Sequence, residues 1–152
     1  MTDSPRIFVP PPLIALAVLA AGLAVDGRLG APPPGSPLLR VAAGLLVLAG
    51  LGLIAVALGL FRRNKTKPEP WAPSSALVTE GVYRFTRNPM YLGFALLLLA
   101  WGTFLANVAA LLGVPAFILY MNRFQIAPEE RALEARFGAE YSRYCARVRR
   151  WI

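Results

Sequence analysis

The chain contains no histidine and only one cysteine, Cys145. No Ser-His-Asp triad, no cysteine–histidine nucleophile pair and no Cys/His metal site can therefore be built within one chain. An intrachain disulfide is excluded too, and Cys145 reads as a small apolar residue on a helix face. Acidic residues are scarce: eight Asp and Glu stand against sixteen Lys and Arg, a net charge of +8 over 152 residues. No Gly-x-Gly-x-x-Gly follows a strand pattern, which argues against a Rossmann-type cofactor site. Basic patches interleaved with aromatics are missing as well, so no nucleic acid is expected as partner. Loops facing anionic membrane lipids account better for the charge.

What is present is apolar. Hydrophobic residues make up 57% of the chain and the mean hydropathy is positive, too apolar for a soluble domain of this size. Ile7 to Val25 is an uncharged run of 19 residues and Val41 to Phe61 one of 21, each long enough to cross a hydrocarbon core of about 30 Å. The run from Asn88 to Asn122, 35 residues, suits two short helices with a hairpin turn between Gly102 and Asn107. The expected fold is all-α: one domain over 1–152, an integral membrane bundle of four transmembrane helices (about 7–25, 38–61, 89–105 and 107–122). A short cytosolic amphipathic C-terminal helix lies in the tail, 126–152. A cleaved signal peptide is the alternative for the first run, opposed by the presence of both Asp3 and Arg6 ahead of it. Pro10, Pro11 and Pro12 predict an irregular entry to that helix.

Charge asymmetry sets the orientation. Arg62, Arg63, Lys65 and Lys67 follow the second run, and Arg131, Arg136, Arg143, Arg147, Arg149 and Arg150 crowd the tail. The loop from Asp26 to Pro37 carries one Arg against one Asp. Both termini are expected to be cytosolic, in the plasma (inner) membrane, with the second loop and the tail on one side. That loop has Pro68, Pro70 and Pro73, with Trp71 as an interfacial anchor. In the tail, Pro128 suits the first position of a helix, with Glu129 and Glu130 in its N-terminal turn. Leu133, Phe137, Tyr141, Tyr144, Cys145 and Val148 then recur on one face, and Gly138 predicts a break or bend. An amphipathic segment lying on the bilayer accounts for this pattern equally well.

Tyr83, Arg84, Arg87, Asn88 and Tyr91 place donors, acceptors and π-faces where the basic loop enters the long apolar run. A helical hairpin brings them to the same membrane face as Glu129 and Glu130. Each group alone has an ordinary explanation, snorkelling arginine with interfacial tyrosine in one case and acidic residues at a helix start in the other.

Their order is more specific. Leu77-Val78-Thr79-x-Gly81-x-Tyr83, then Arg87-x-Pro89-x-Tyr91, a hairpin, and Glu129-Glu130 with Leu133, Phe137-Gly138, Tyr141, Tyr144 and Val148 resemble the isoprenylcysteine carboxyl methyltransferase and phospholipid methyltransferase superfamily. The resemblance spans roughly residues 62 to 151. It implies an integral membrane methyltransferase that uses S-adenosylmethionine without a Rossmann fold. Carried over by position, the implied cofactor-binding residues are Ser75, Ala76, Leu77, Val78, Tyr83, Asn88, Pro89, Met90 and Tyr91. Glu129 matches a glutamate at the substrate and catalytic end, and Arg123 is the nearby cation grouped with it as catalytic.

Two positions depart from the family pattern. Asn88 replaces the family's histidine, so a titrating role is lost there, and Gln125 stands where the prenylcysteine enzymes carry arginine. Methyl transfer needs chiefly alignment in a dry pocket, so the absence of histidine is no obstacle. Tyr83 and Tyr91 offer faces to a sulfonium, and Glu129 or water is the available base. The expected partners are membrane lipids and a lipophilic methyl acceptor, and no metal is expected. Activity is expected to be most like isoprenylcysteine carboxyl O-methylation, with phospholipid N-methylation, thiol S-methylation or a non-catalytic membrane scaffold as alternatives.

Overall fold

The computed structural model of the chain describes residues 9–29, 36–65 and 76–152. Expectations for Arg6, Lys67, Pro68, Pro70, Trp71, Pro73 and Ser75 lie outside the described residues. The described residues form helices, with no strand among them: α1 (Pro11–Leu29), α2 (Pro37–Arg63), a 3-10 turn (Gly81–Arg84), α3 (Pro89–Leu105), α4 (Val108–Tyr120), a π-helical turn (Met121–Ile126), α5 (Ala127–Phe137) and α6 (Ala139–Arg147).

The helix starts follow from the prolines. Proline lacks the N–H that a first helical turn leaves unpaired anyway, so Pro11, Pro37 and Pro89 stand at or near the first positions of α1, α2 and α3. The expected start at residue 7 lies outside the described residues; α1 begins at Pro11, where the Pro10 carbonyl accepts from the amides of Leu13 and Ile14. Ser36 caps α2 through the Leu39 amide.

Among the described residues two helices are long and apolar enough to cross a membrane: α2, and the continuous helix over Ala110–Phe137. The apolar stretches Pro11–Val25 and Pro89–Leu105 are shorter. The second long helix is apolar only as far as Asn122. Beyond it come Arg123, Glu129, Glu130, Arg131, Glu134 and Arg136, so this part lies outside the hydrocarbon.

One expectation is overturned here. Pro128 does not open a new helix, because α4 runs through the π turn into α5 without interruption. A proline in a helix interior removes one ladder bond and crowds a carbonyl one turn back, and the widened turn just ahead of Pro128 takes up that misfit. Glu129 and Glu130 therefore follow a helical turn instead of a helix start, and stabilisation by unpaired helix-terminal amides no longer explains them.

Helices α2 and α3 form the tightest seam. Ala43, Gly50 and Ala57 repeat every seven residues along the buried face of α2. A Cβ added at Gly93 would stand 2.5 Å from Ile54 Cγ1 and 2.8 Å from the Gly50 carbonyl oxygen, so glycine is what permits the approach. The opposite face of α2 is unpartnered and apolar, with Leu38 and Leu48 about 70% exposed or more, as suits a helix facing lipid. Helix α1 packs across α3 and α4 through Ile14 and Ala15, which meet Tyr91, Ala95, Leu98 and Phe117. The tail folds back as α5 and α6, separated at Gly138, whose φ of +48° suits glycine.

Candidate active site at the α3–α5 junction

Glu129 is the centre of the site. Pro89 starts α3, and two residues further Tyr91 turns into the interior, 7% exposed. Its phenol donates to Glu129 Oε1 at 2.6 Å. Gln125 lies four residues before Glu129 on the same helix face and is 1% exposed. Its amide donates to that same Oε1 and, at 3.3 Å, to the Tyr91 hydroxyl oxygen. Burial pushes the Glu129 carboxyl up to about 7, against the two hydrogen bonds that favour its charged form.

A second cluster adjoins it. Glu130 accepts from Arg150 with both oxygens and lies 3.2 Å from Arg87 Nη1. Arg87 also reaches the Tyr141 hydroxyl and Cys145 Sγ, while its Nε is buried with no hydrogen-bond partner. Arg87 is thereby committed to Glu130 and α6.

The segment that carries these residues is tied down from both sides. Val78 and Tyr83 are buried against Ala57 of α2, and Tyr83 stands edge-on to Phe61 at 5.7 Å between ring centroids. Burial raises the Tyr83 phenol well above its ordinary range. Tyr144 of α6 donates to the Tyr83 carbonyl at 2.7 Å, and Leu77 packs on the Tyr141–Tyr144–Val148 cluster. Residues 77–88 thus meet the tail.

The expected residues are distributed as follows. Tyr91 and Glu129 are in contact, Met90 joins the clusters around Tyr91 and Tyr83, and Pro89 is fully buried at the start of α3. Val78 is buried in the cluster with Tyr83, Leu77 packs on the tail cluster, and Ala76 is half-buried ahead of them. The side chain of Asn88 donates to the Arg150 carbonyl at 2.9 Å. Arg123 stays exposed on the π turn and forms no ion pair with Glu129. Gln125, Arg150 and Trp151 belong to the site region without having been expected there. The four-residue step from Gln125 to Glu129 is legible in the sequence, whereas the two tail residues follow the last helix and carry no periodic signal.

Between α2, the 3-10 turn and the C-terminal residues lies an open apolar cavity of about 240 Å³, walled by Leu53, Val82, Phe85, Leu92, Trp151 and Ile152.

The profile of the family described as phospholipid methyltransferase matches residues 39–140, which takes in nearly all of α2, then α3, α4, Tyr91, Gln125 and Glu129. The chain belongs to this family of membrane methyltransferases, within the isoprenylcysteine and phospholipid methyltransferase superfamily. It is also similar to a protein of Haemophilus influenzae named "Uncharacterized protein", 57% identical over 63 residues, which are 41% of this chain and the whole of that protein.

Proposed function

We propose that this protein is an S-adenosylmethionine-dependent methyltransferase built as four membrane-crossing helices. Its site lies where α3 begins and α4 passes into α5, and both termini lie on the cytosolic side. The Tyr91–Gln125–Glu129 cluster, with Tyr91 and Gln125 buried and Glu129 half-buried, set within the family-matched region, is the observation that carries this reading. The residues present suit the cofactor. The aromatic faces of Tyr83 and Tyr91, both buried, suit a sulfonium. When bound, the cofactor supplies a methyl group made electrophilic by that sulfonium.

The chain's own residues do the rest. Tyr83, Asn88, Pro89, Met90 and Tyr91 shape the cofactor end, and Ala76 to Val78 back it. Glu129 takes a proton at its carboxylate as the acceptor's nucleophile sheds one, and its raised affinity for protons suits that task near neutral pH. The apolar cavity beside Leu92 accommodates the lipophilic part of the acceptor.

Within this reading, the charge pattern favours a proton-bearing nucleophile, an amine or thiol, over the carboxylate of a prenylcysteine. Both donors to Glu129 are neutral, Arg87 is held by Glu130, and Arg123 is exposed. A second carboxylate brought beside Glu129 would meet repulsion with no cation to offset it.

Calorimetry of the detergent-purified protein with S-adenosylhomocysteine, followed by a methyl-label screen of lipophilic amines, thiols and carboxylates, tests the proposal. A non-catalytic scaffold binds no cofactor. Methylation confined to carboxylates would overturn the acceptor class.

A further inference from the structure

Residues 149–152 follow α6 and form no helix of their own. Val148 has an extended backbone, φ −125° and ψ 128°. From there the chain crosses three elements in three residues. The Arg149 carbonyl accepts from the Arg87 amide at 3.0 Å. The Arg150 carbonyl accepts from Thr86 Oγ1 at 3.3 Å and Asn88 Nδ2 at 2.9 Å. The Arg150 guanidinium grips both oxygens of Glu130, and the Trp151 indole donates to Asn122 Oδ1 at 2.9 Å. The Trp151 ring packs on the cluster that contains Tyr91, Met121 and Ile126. This strap therefore lies over the seam between the start of α3 and the end of α4, behind which Tyr91 and Gln125 are buried.

Tyr91 and Gln125 are 7% and 1% exposed, so anything that reaches their side chains from the aqueous side requires an element to move. The helices are poor candidates: α6 is anchored by Tyr144 on the Tyr83 carbonyl and by its own buried cluster, and α2 and α3 meet backbone to backbone. The strap is held mainly by polar contacts at the protein surface. Arg150 is 38% exposed and Glu130 19%, so water and ions reach their pair. A hinge just after buried Val148 would free residues 149–152 and leave α6 in place.

We propose that residues 149–152 are a gate over the cofactor pocket, latched by Glu130 on Arg150 and by Asn88 on the Arg150 carbonyl, and that its opening sets the rate of cofactor exchange. The proposal rests on the methyltransferase reading above. Glu130 is in this view a positioning residue. Asn88, at the place of the family's histidine, holds the gate through an amide that does not titrate. Loss of the latch changes how fast the pocket opens and leaves the pocket's own contacts intact, so association and dissociation accelerate together.

The test uses the full chain in detergent with S-adenosylhomocysteine as probe, stopped-flow exchange, and hydrogen–deuterium exchange of residues 85–88 and 149–152. In Glu130→Gln and in Trp151→Ala, both rate constants are expected to rise roughly five- to tenfold with Kd nearly unchanged. Added salt is expected to speed exchange in the wild type and to have little effect in Glu130→Gln. The Arg87 amide should exchange faster in both variants while amides of α2 and α3 keep their protection, which shows the bundle intact. Faster amide exchange with unaltered cofactor rates would overturn the gate, as would a change confined to Kd. Absence of any binding by the wild type would overturn the methyltransferase reading and the gate with it, and amide exchange would still report whether Glu130 latches the strap. If Glu130→Gln fails to fold, Trp151→Ala alone decides.

Discussion

The phenol of Tyr91 stands 2.6 Å from Oε1 of Glu129, joining the first turn of α3 to the helix that leaves the bundle after α4. The two residues are 38 positions apart, and the hairpin between them is what makes them neighbours. Tyr91 donates, Glu129 accepts, and Gln125 donates to both, so the carboxylate is held in one orientation by neutral groups.

Glu129→Gln is expected to lower methyl transfer at least tenfold while cofactor affinity and thermal stability change little. Glutamine keeps the size and an acceptor oxygen but holds no proton at neutral pH, and each 1.4 kcal/mol lost in the transition state is about tenfold in rate. Turnover, calorimetric affinity and melting temperature measured on one preparation decide it. Normal turnover would remove Glu129 from the chemistry.

Much of the bundle was legible in the uncharged runs. The expected spans 38–61 and 89–105 compare with Pro37–Arg63 and Pro89–Leu105, because charge and proline mark such ends unambiguously. The join at 121–126 was not legible. A proline followed by two glutamates has the same composition whether it starts a helix or follows a π turn, and only packing around buried Gln125 and Ile126 decides. Tyr83, Tyr91 and Glu129 could be selected by type and spacing. The exposure of Arg123 was not legible, since it depends on which side the π turn faces. The strap was invisible because backbone carbonyls, the acceptors of Arg149 and Arg150, carry no residue-type signature.

Gly93→Ala is expected to destabilise the bundle by roughly 1–3 kcal/mol, as overpacking of a tight seam does. The added methyl group collides with Ile54 and with the Gly50 backbone. Gly52→Ala, which meets nothing within 4 Å, serves as control and is expected to be neutral or slightly stabilising. Thermal unfolding in detergent compares the two, and equal stability would mean the seam relaxes freely.

Reporter fusions at Lys65 and after Ile152 are expected on the cytosolic side, and one near Gly35 on the other. The basis is the concentration of Arg and Lys after α2 and in the tail. Contacts such as Asn64 Nδ2 to Glu80 and Trp151 to Asn122 already hold the end of α2, the loop before α3 and the tail at one end of the bundle. Opposite locations for Lys65 and Ile152 would contradict a site assembled from both.

The pH dependence follows from the Glu129 carboxyl, which burial moves from 4.5 up to about 7. The folded state then binds this proton more tightly than the unfolded chain does. Its contribution to stability is fully present below about 4.5 and is lost as pH rises through about 7, a change of about 3 kcal/mol. Activity runs the other way, because only the ionised carboxylate accepts a proton, so kcat/KM is expected to climb with pH and level off above about 7. Tyr91→Phe removes one of the two hydrogen bonds that favour the charged form, so the rise should move to higher pH and the plateau should fall. Glu129→Gln should erase the limb altogether. Rate profiles from mildly acidic to mildly alkaline pH on the three proteins test this, and a wild-type profile flat through neutrality would rule Glu129 out as the proton acceptor.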